Sequence, residues 1–283
     1  MGYLLAAKEL LKYRYPSLVN VILRVKQLIN RNQSKSACEI QPYWSIFLTY
    51  SCTADCFYCV QNYSFKTGRK DSPLKGKLSP ENWLLLNNAP NRPTNIVITG
   101  GEPFLYNGLE KLVAGLSGFK EVWIVTNLTL DISDVIENLK KVKHHRIIFH
   151  CSYHVAAIDF ETFLARVILI KKAGFLGSVR IVDVEYAKTK QYIKKFATHG
   201  IKIQSLFRVG MKDQEVLVTS NPEASNLYRK PPVLCRTKLA LFAPNGDVYN
   251  CHTKLYWNDY ASSFGNIITG FNIPDDYCVC HDY

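Results

Sequence analysis

From Trp44 onward the chain alternates short β-rich runs with amphipathic helical stretches, and this alternation limits the folds available to it. Strands that follow one another through a helix lie parallel in one sheet and are joined by right-handed crossovers. Six runs predict strands: Trp44–Tyr50, Asn95–Thr99, Glu121–Thr126, Arg146–Ser152, Ser178–Glu185 and Ile201–Phe207. Four stretches predict helices, near residues 106–117, 132–141, 160–173 and 189–198. We therefore expect an α/β fold, a partial (β/α)6 TIM-like barrel, because a closed barrel of this type needs eight strands.

Two further segments flank this alternating region. Residues 1–43 predict a helical segment with an apolar stripe that includes Leu18 and Ile22, and with a basic remainder. The stripe is typical of a helix packed on the main domain, with a membrane-surface or partner-binding helix as the alternative. After about residue 215 the alternation stops, and Asn245-Gly246 predicts a β-hairpin. We expect a barrel over 44–215 and a small α+β extension over 216–283.

The composition adds two constraints, which are 9 cysteines and a formal net charge of +12. An odd cysteine count in a chain of 283 residues without a recognisable export signal fits a disulfide framework poorly. We therefore expect a reducing, cytoplasmic setting, in which clustered cysteines bind metal. No apolar run approaches ~18 residues, so we expect no membrane-spanning helix. The basic residues are spread out and form no known nucleic-acid-binding motif, which makes nucleic acid an unexpected partner.

Three cysteines, Cys52, Cys56 and Cys59, follow the first predicted strand on the loop at its carboxyl end. Thiolates this close together can surround one metal centre, and no nearby Cys or His offers the fourth ligand of a structural zinc site. A four-iron cluster held by three thiolates leaves one iron open for a small ligand. Gly100-Gly101-Glu102-Pro103 ends the second predicted strand, where glycines let the backbone approach a ligand closely.

The spacing C-x3-C-x2-C, with an aromatic residue before the last cysteine, resembles the motif of the radical SAM superfamily, the radical S-adenosylmethionine (SAM) enzymes. Gly100-Gly101-Glu102-Pro103 resembles the GGEP motif of that family. Weaker matches are Thr126-Asn127, where Leu128 replaces the glycine of a Thr-Asn-Gly run, and Ser152, which ends the fourth strand. The resemblance covers about residues 44–210. Zinc binding, structural cysteines and a non-catalytic relative are the alternatives, and the intact motifs oppose the last of these.

The resemblance implies an enzyme with definite cofactors. Cys52, Cys56 and Cys59 would hold a [4Fe–4S] cluster whose open iron binds SAM, and one-electron reduction would cleave SAM to methionine and a 5′-deoxyadenosyl radical. That radical would abstract a hydrogen atom from the substrate. The residues expected to contact SAM are Tyr58 near the adenine, Glu102 at the amino group, and Gly100, Gly101, Pro103, Thr126, Asn127 and Ser152. A flavodoxin or ferredoxin would donate the electron, and its acidic surface would suit the basic protein.

Four further cysteines lie near the carboxyl end of the chain: Cys235, Cys251, Cys278 and Cys280. Their order around the predicted hairpin is similar to that of the SPASM/twitch extension of radical SAM enzymes, which implies a second, auxiliary iron–sulfur cluster. The final C-x-C pair departs from the more usual C-x2-C, and zinc or no metal are the alternatives. We interpret Cys38 as an incidental thiol and Cys151 as a buried structural cysteine.

His154, just beyond the fourth strand, and Arg208, at the end of the sixth, are the candidate substrate-binding or catalytic residues. Arg208 would suit an anionic group, although a surface salt bridge is the commoner role of an arginine. We expect a small-molecule substrate, such as a sugar or a nucleotide-linked metabolite, because residues 1–43 show no β-hairpin wing of a peptide-recognition domain. Peptide maturation is the alternative within the family. A non-catalytic protein that binds metal and nucleic acid is the alternative from another class.

Overall fold

The computed structural model describes residues 44–56, 59, 76–183, 186–207, 209–212, 215–218, 233–235, 239–257, 262–273 and 278–280. The predicted helical segment 1–43 and the predicted site residues Tyr58 and Arg208 lie outside these ranges. The chain divides into two compact units. The larger comprises Pro42–Arg229 and Lys238–Pro274, and the smaller comprises Met1–Gln41, Lys230–Thr237 and Asp275–Tyr283.

The larger unit is built on a mostly parallel sheet. Its first six strands are β1 Trp44–Phe47, β2 Asn95–Thr99, β3 Glu121–Thr126, β4 Arg146–Tyr153, β5 Leu176–Asp183 and β6 Ile203–Phe207. Each of them pairs in parallel with the next one along the chain. This arrangement confirms the α/β fold and the six parallel strands expected from the alternating sequence pattern.

Short helices connect these strands: α1 Pro80–Trp83, α2 Leu109–Gly115, α3 Ser133–Leu139, α4 Phe160–Lys172 and α5 Tyr186–Thr198. The last four correspond to the predicted helices. Two of the helices begin at side-chain caps, since Ser79 accepts a hydrogen bond from the backbone of Asn82, and Asp159 accepts one from Thr162. Among the described residues, no helix is long and apolar enough to cross a membrane.

The predicted hairpin forms and joins the main sheet. Its strands are β10 Ala240–Phe242 and β11 Val248–Tyr249, and the turn between them includes Gly246 at φ +89°. Strand β10 pairs in parallel with β1, so the eight strands run in the order β11-β10-β1-β2-β3-β4-β5-β6. The other described strands and α-helix of this unit are β7 Val209–Lys212, β8 Glu215–Val218, α6 His252–Trp257, β12 Gly265–Asn266 and β13 Gly270–Phe271, and two 3-10 helices span Leu84–Asn88 and Pro103–Leu105.

The smaller unit is described only through one antiparallel pair of strands, β9 Val233–Cys235 and β14 Cys278–Cys280. Their register places Cys278 opposite Cys235 and Cys280 opposite Val233.

The two faces of the main sheet differ in polarity because side chains alternate along each strand. On one face, Val122 and Ile124 of β3 are fully buried in a core that the helices cover with residues such as Phe163. Burying a side chain of this size stabilises the fold by about 1.5–3 kcal/mol. The intervening positions on β4 and β5 carry polar residues, including His150 and Arg180. These polar residues of β4 and β5 therefore lie on the face opposite the helical core.

Leu128, just after β3, combines a left-handed backbone with a buried side chain. Its φ is +55°, and its side chain is 1% exposed within the core. The Arg166 guanidinium donates a hydrogen bond of 2.7 Å to its carbonyl oxygen, and its own N–H donates to the Thr126 hydroxyl at 3.0 Å. A left-handed residue with a Cβ costs roughly 1–2 kcal/mol, which the burial of the leucine offsets.

Replacing Leu128 should reverse the usual stability order of alanine and glycine. Both Leu128→Ala and Leu128→Gly lose the buried leucine, but only glycine also relieves the left-handed strain. We expect Leu128→Gly to be the more stable variant by roughly 0.5–1 kcal/mol, because the strain outweighs the greater freedom of glycine in the unfolded chain. Urea unfolding followed by circular dichroism measures the difference. Leu112 is the control, since it is buried inside α2, where alanine should be the more stable replacement. The same order at both positions would contradict the prediction.

Candidate functional site

The carboxyl ends of β1 to β4 meet at one edge of the sheet, and the loops that follow them contact one another. The described part of the cysteine loop, residues 51–56 and 59, follows β1, and Gly100-Gly101-Glu102-Pro103 follows β2. Asn127 follows β3, and His154 follows β4. In parallel α/β folds this edge of the sheet is where ligands bind.

Two glycines let the loop after β2 lie directly along the segment that leads into the cysteine loop. The Gly101 N–H donates a hydrogen bond to the Thr49 carbonyl at 2.7 Å, and the Glu102 N–H donates to the Ser51 carbonyl at 2.9 Å. A Cβ on Gly101 would lie 2.0 Å from the Ser51 carbonyl oxygen, and one on Gly100 would lie 2.3 Å from that of Thr49. Gly100 also takes φ +134°. The Gly-Gly pair is therefore a requirement of backbone packing here.

Glu102 connects the loop after β2 to the loop after β3. Its carboxyl group is 1% exposed and accepts hydrogen bonds from the Thr126 hydroxyl and the Asn127 N–H, both at 2.9 Å, and from the Phe104 N–H at 3.3 Å. Burial raises the pKa of this carboxyl above its usual value, and the three donors act in the opposite direction. In this geometry the Glu102 side chain fixes the position of Asn127 and does not face solvent.

Asn127 in turn contacts the cysteine loop. Its side-chain amide donates to the Cys52 sulfur at 3.4 Å and to the Thr53 hydroxyl at 3.3 Å, while its side-chain oxygen accepts from the backbone N–H and the hydroxyl of Thr129. The backbone N–H of Ala54 also approaches the Cys52 sulfur, at 3.5 Å. Cys52 is therefore surrounded by hydrogen-bond donors.

Cys56 contacts a residue from the next strand end, because its sulfur lies 3.6 Å from Nδ1 of His154. Burial lowers the pKa of His154 to about 4, so its ring is neutral at pH 7. The structure therefore places this predicted substrate residue against a cysteine of the loop. The Cys59 N–H donates to the Cys56 carbonyl at 2.9 Å.

The cysteine loop fits an iron–sulfur cluster in its chemistry. None of its three cysteines forms a disulfide. In the part of the chain that the structure describes, no three His, Cys, Asp or Glu side chains lie close enough together to hold a metal ion. All three cysteines are nevertheless partly exposed, the Asn127 amide donates to the Cys52 sulfur, and Nδ1 of His154 lies within hydrogen-bond distance of the Cys56 sulfur. Thiolate ligands with hydrogen bonds to sulfur are the environment that iron–sulfur clusters use in proteins.

Arg180 is a polar residue near the site that the sequence analysis missed. Strand register pairs it with Ser152, which was predicted to contact SAM, and its Nε is buried without a hydrogen-bond partner among the described residues. A guanidinium in this position can bind a carboxylate through two parallel hydrogen bonds. The sequence contained a signal for this residue, because Ser178 and Arg180 alternate with apolar neighbours on β5 and so lie on one face of the strand.

The other cysteines divide between the two units. Cys151 on β4 is fully buried, and burial raises the pKa of its thiol, which confirms its interpretation as a structural cysteine. Cys251 lies in the larger unit, where its carbonyl accepts a hydrogen bond from Leu255 of α6. Cys235, Cys278 and Cys280 lie in the smaller unit, on β9 and β14.

Comparisons with known proteins agree with this fold. A model of the radical SAM superfamily matches residues 46–216, which is well over half of the chain. Three similar solved structures are histidine-tagged anSMEcpe with bound AdoMet, and native anSMEcpe with bound AdoMet and either the Kp18Cys or the Cp18Cys peptide. Each has a TM-score of 0.55 at 15% identity and covers 80% of this chain and 77–78% of the other, so the likeness concerns the fold. A search of curated proteins gives no match.

Adding a Cβ at Gly101 should displace the loop that carries the cysteines. We expect Gly101→Ala to lower the free energy of unfolding by about 3 kcal/mol or more, since the new atom would overlap a backbone oxygen that cannot move away alone. It should also reduce the iron bound after anaerobic reconstitution. Gly174→Ala is the control, because a Cβ there meets no atom within 4 Å despite φ +79°. Equal losses of stability and of bound iron in the two variants would contradict this interpretation.

Proposed function

Because this chain belongs to the radical SAM superfamily, we propose that Cys52, Cys56 and Cys59 hold its [4Fe–4S] cluster and that it cleaves SAM reductively. The observation that carries the assignment is the position of the three-cysteine loop, held by Gly100-Gly101 on one side and by Asn127 on the other. When bound, the cluster supplies the electron that splits SAM into methionine and a 5′-deoxyadenosyl radical, which takes a hydrogen atom from the substrate.

The chain's own residues would position SAM beside this loop. Ser152 and Arg180 are register partners, and the buried Nε of Arg180 suits the carboxylate of SAM. Gly100 and Gly101 would present their backbone to the ligand. Glu102 would act mainly by holding the loops in place, since its carboxyl oxygens already accept three hydrogen bonds.

We propose a polar small-molecule substrate, in the class of sugars or nucleotide-linked metabolites. Support comes from the face of the sheet opposite the helical core, where His150 lies 2.7 Å from the Ser178 hydroxyl and edge-on to Trp123, with ring centroids 5.1 Å apart. Polar groups beside an aromatic ring suit a ligand that is part polar and part apolar. An anionic substrate would also be attracted by the net charge of +12.

A peptide is the second candidate substrate. Two of the similar solved structures hold a peptide together with AdoMet, which favours this alternative for a chain of the same fold. An experiment distinguishes the two candidates. A cell extract is separated by ultrafiltration into a small-molecule and a peptide fraction, and each is added to the enzyme. The fraction that increases SAM cleavage contains the substrate.

An enzyme of this family needs an electron donor, and we propose a flavodoxin or a ferredoxin in a reducing cytoplasm. An acidic donor would be steered toward this basic chain, with the strength of the attraction falling as salt rises. We also propose the auxiliary iron–sulfur cluster predicted from the carboxyl-terminal cysteines. Within the smaller unit, the register that places Cys278 opposite Cys235 supports it.

SAM cleavage tests the proposed function directly. Anaerobically reconstituted protein with dithionite and SAM should form 5′-deoxyadenosine, measured by liquid chromatography, because a [4Fe–4S] cluster held by three thiolates would leave one iron open to SAM. Cys56→Ala should form none above background, since two thiolates do not hold the cluster. Cys151→Ala is the matched control, because Cys151 is a buried core residue of β4 and not a member of the cysteine loop. Equal product from wild type and Cys56→Ala would contradict the assignment.

Iron analysis tests the auxiliary cluster separately. The reconstituted protein should bind about eight iron atoms per chain, and a Cys278→Ala variant should retain about four, since two [4Fe–4S] clusters hold four irons each. About four irons in the wild type, with none lost in the variant, would rule out the second cluster and leave the first intact.

A further inference from the structure

His154 contacts the cysteine loop from a rigid part of the fold. It directly follows β4, and the preceding residue, Tyr153, is 1% exposed and packs against Phe163 at a centroid distance of 4.9 Å. The backbone that carries the imidazole is therefore fixed by the core. From this position Nδ1 lies 3.6 Å from the sulfur of Cys56, within the range of a hydrogen bond to sulfur.

The chemistry of Cys56 decides the direction of this hydrogen bond. A thiolate that ligates iron has no proton, so it can only accept. The imidazole of His154 must then carry a proton on Nδ1, and the contact becomes N–H···S. The opposite tautomer would place a nitrogen lone pair against the sulfur, which is unfavourable.

We propose that His154 sets the reduction potential of the [4Fe–4S] cluster by donating a hydrogen bond to the sulfur of Cys56. The inference rests on the proposed function, because it assigns Cys56 as a cluster ligand. In this proposal His154 is a positioning and tuning residue for the cluster.

The direction of the effect follows from charge. One electron from the donor makes the cluster more negative and its sulfurs better acceptors, so the N–H···S hydrogen bond strengthens on reduction. A bond that is stronger in the reduced state favours that state and raises the potential. Removing the hydrogen-bond donor should therefore make the cluster harder to reduce. SAM cleavage begins with this reduction, so the contact influences how readily a physiological donor can start the reaction.

Two substitutions of similar size separate the effect of the His154 hydrogen-bond donor from the effect of side-chain packing. His154→Leu removes the N–H, while His154→Asn keeps an amide N–H near the position of Nδ1. His150→Phe is the matched control on the same strand, since the ring of His150 contacts Ser178 and Trp123. Each protein is reconstituted anaerobically and titrated with dithionite without SAM. The reduced cluster is followed by electron paramagnetic resonance, using the signal that is missing from Cys56→Ala.

We expect the reduced-to-oxidised ratio of His154→Leu, at the wild-type midpoint, to be about tenfold lower than that of wild type. For one electron this equals a shift of about 59 mV to more negative potential. The midpoint potential of His154→Asn should lie between those of wild type and His154→Leu. The midpoint potential of His150→Phe should equal that of wild type. If His154→Leu keeps an intact cluster and the wild-type midpoint potential, the inference is overturned but the proposed function is not. Absence of the cluster signal from wild type would overturn the proposed function itself.

A second measurement needs no substitution that could prevent cluster assembly. Protein labelled with 15N-histidine should show 15N hyperfine coupling to the reduced cluster in pulsed electron paramagnetic resonance. The coupling should persist in His150→Phe and vanish in His154→Asn, which has no imidazole at position 154. No 15N coupling in the labelled wild type, despite a reduced cluster, would overturn the inference.

Discussion

The arrangement of the site depends on the burial of one carboxyl group, that of Glu102. Removing a carboxylate from water costs several kcal/mol unless hydrogen bonds replace the lost solvent. Thr126, Asn127 and Phe104 provide those hydrogen bonds, and two of these donors belong to the end of the neighbouring strand. The loops after β2 and β3 can therefore move apart only by leaving the buried carboxyl oxygens without hydrogen-bond partners. This penalty fixes Asn127, and Asn127 contacts Cys52.

Two physically different devices hold the cysteine loop. The Gly-Gly pair acts by the absence of side chains, which lets two backbones hydrogen-bond directly at 2.7–2.9 Å. The side chains of Asn127 and His154 act through direct contacts, since the Asn127 amide donates to the Cys52 sulfur and Nδ1 of His154 lies 3.6 Å from the Cys56 sulfur. The first device determines where the loop lies, and the second determines the electrostatic surroundings of its thiolates. No single motif at the end of one strand provides both effects. Residues that follow four different strands therefore contribute to the site.

The sequence predicted the strands well because their signal is local. Apolar runs such as Asn95–Thr99 and Glu121–Thr126 have the bounds expected from their patterns. The contacts of His154 with Cys56 and of Arg180 with Ser152 could not be predicted in the same way. They join residues 98 and 28 positions apart, and they depend on strand register and loop path, which a single sequence does not encode locally. Leu128 is an intermediate case. Comparison with a Thr-Asn-Gly run drew attention to this position, because leucine stands where that run has glycine. The comparison did not predict that the leucine would adopt a left-handed backbone conformation.

The hairpin after residue 238 belongs to the structural basis of the site as well. Because β10 pairs with β1, the strand that leads into the cysteines lies inside the sheet, between β10 and β2. An exposed edge strand with unpaired backbone groups is prone to fraying and to pairing with other chains. Phe47, on β1, also packs with Tyr256 of α6 in a small core of its own. The segment that follows the alternating region thus stabilises β1, and the cysteine loop begins from a strand that is paired on both sides.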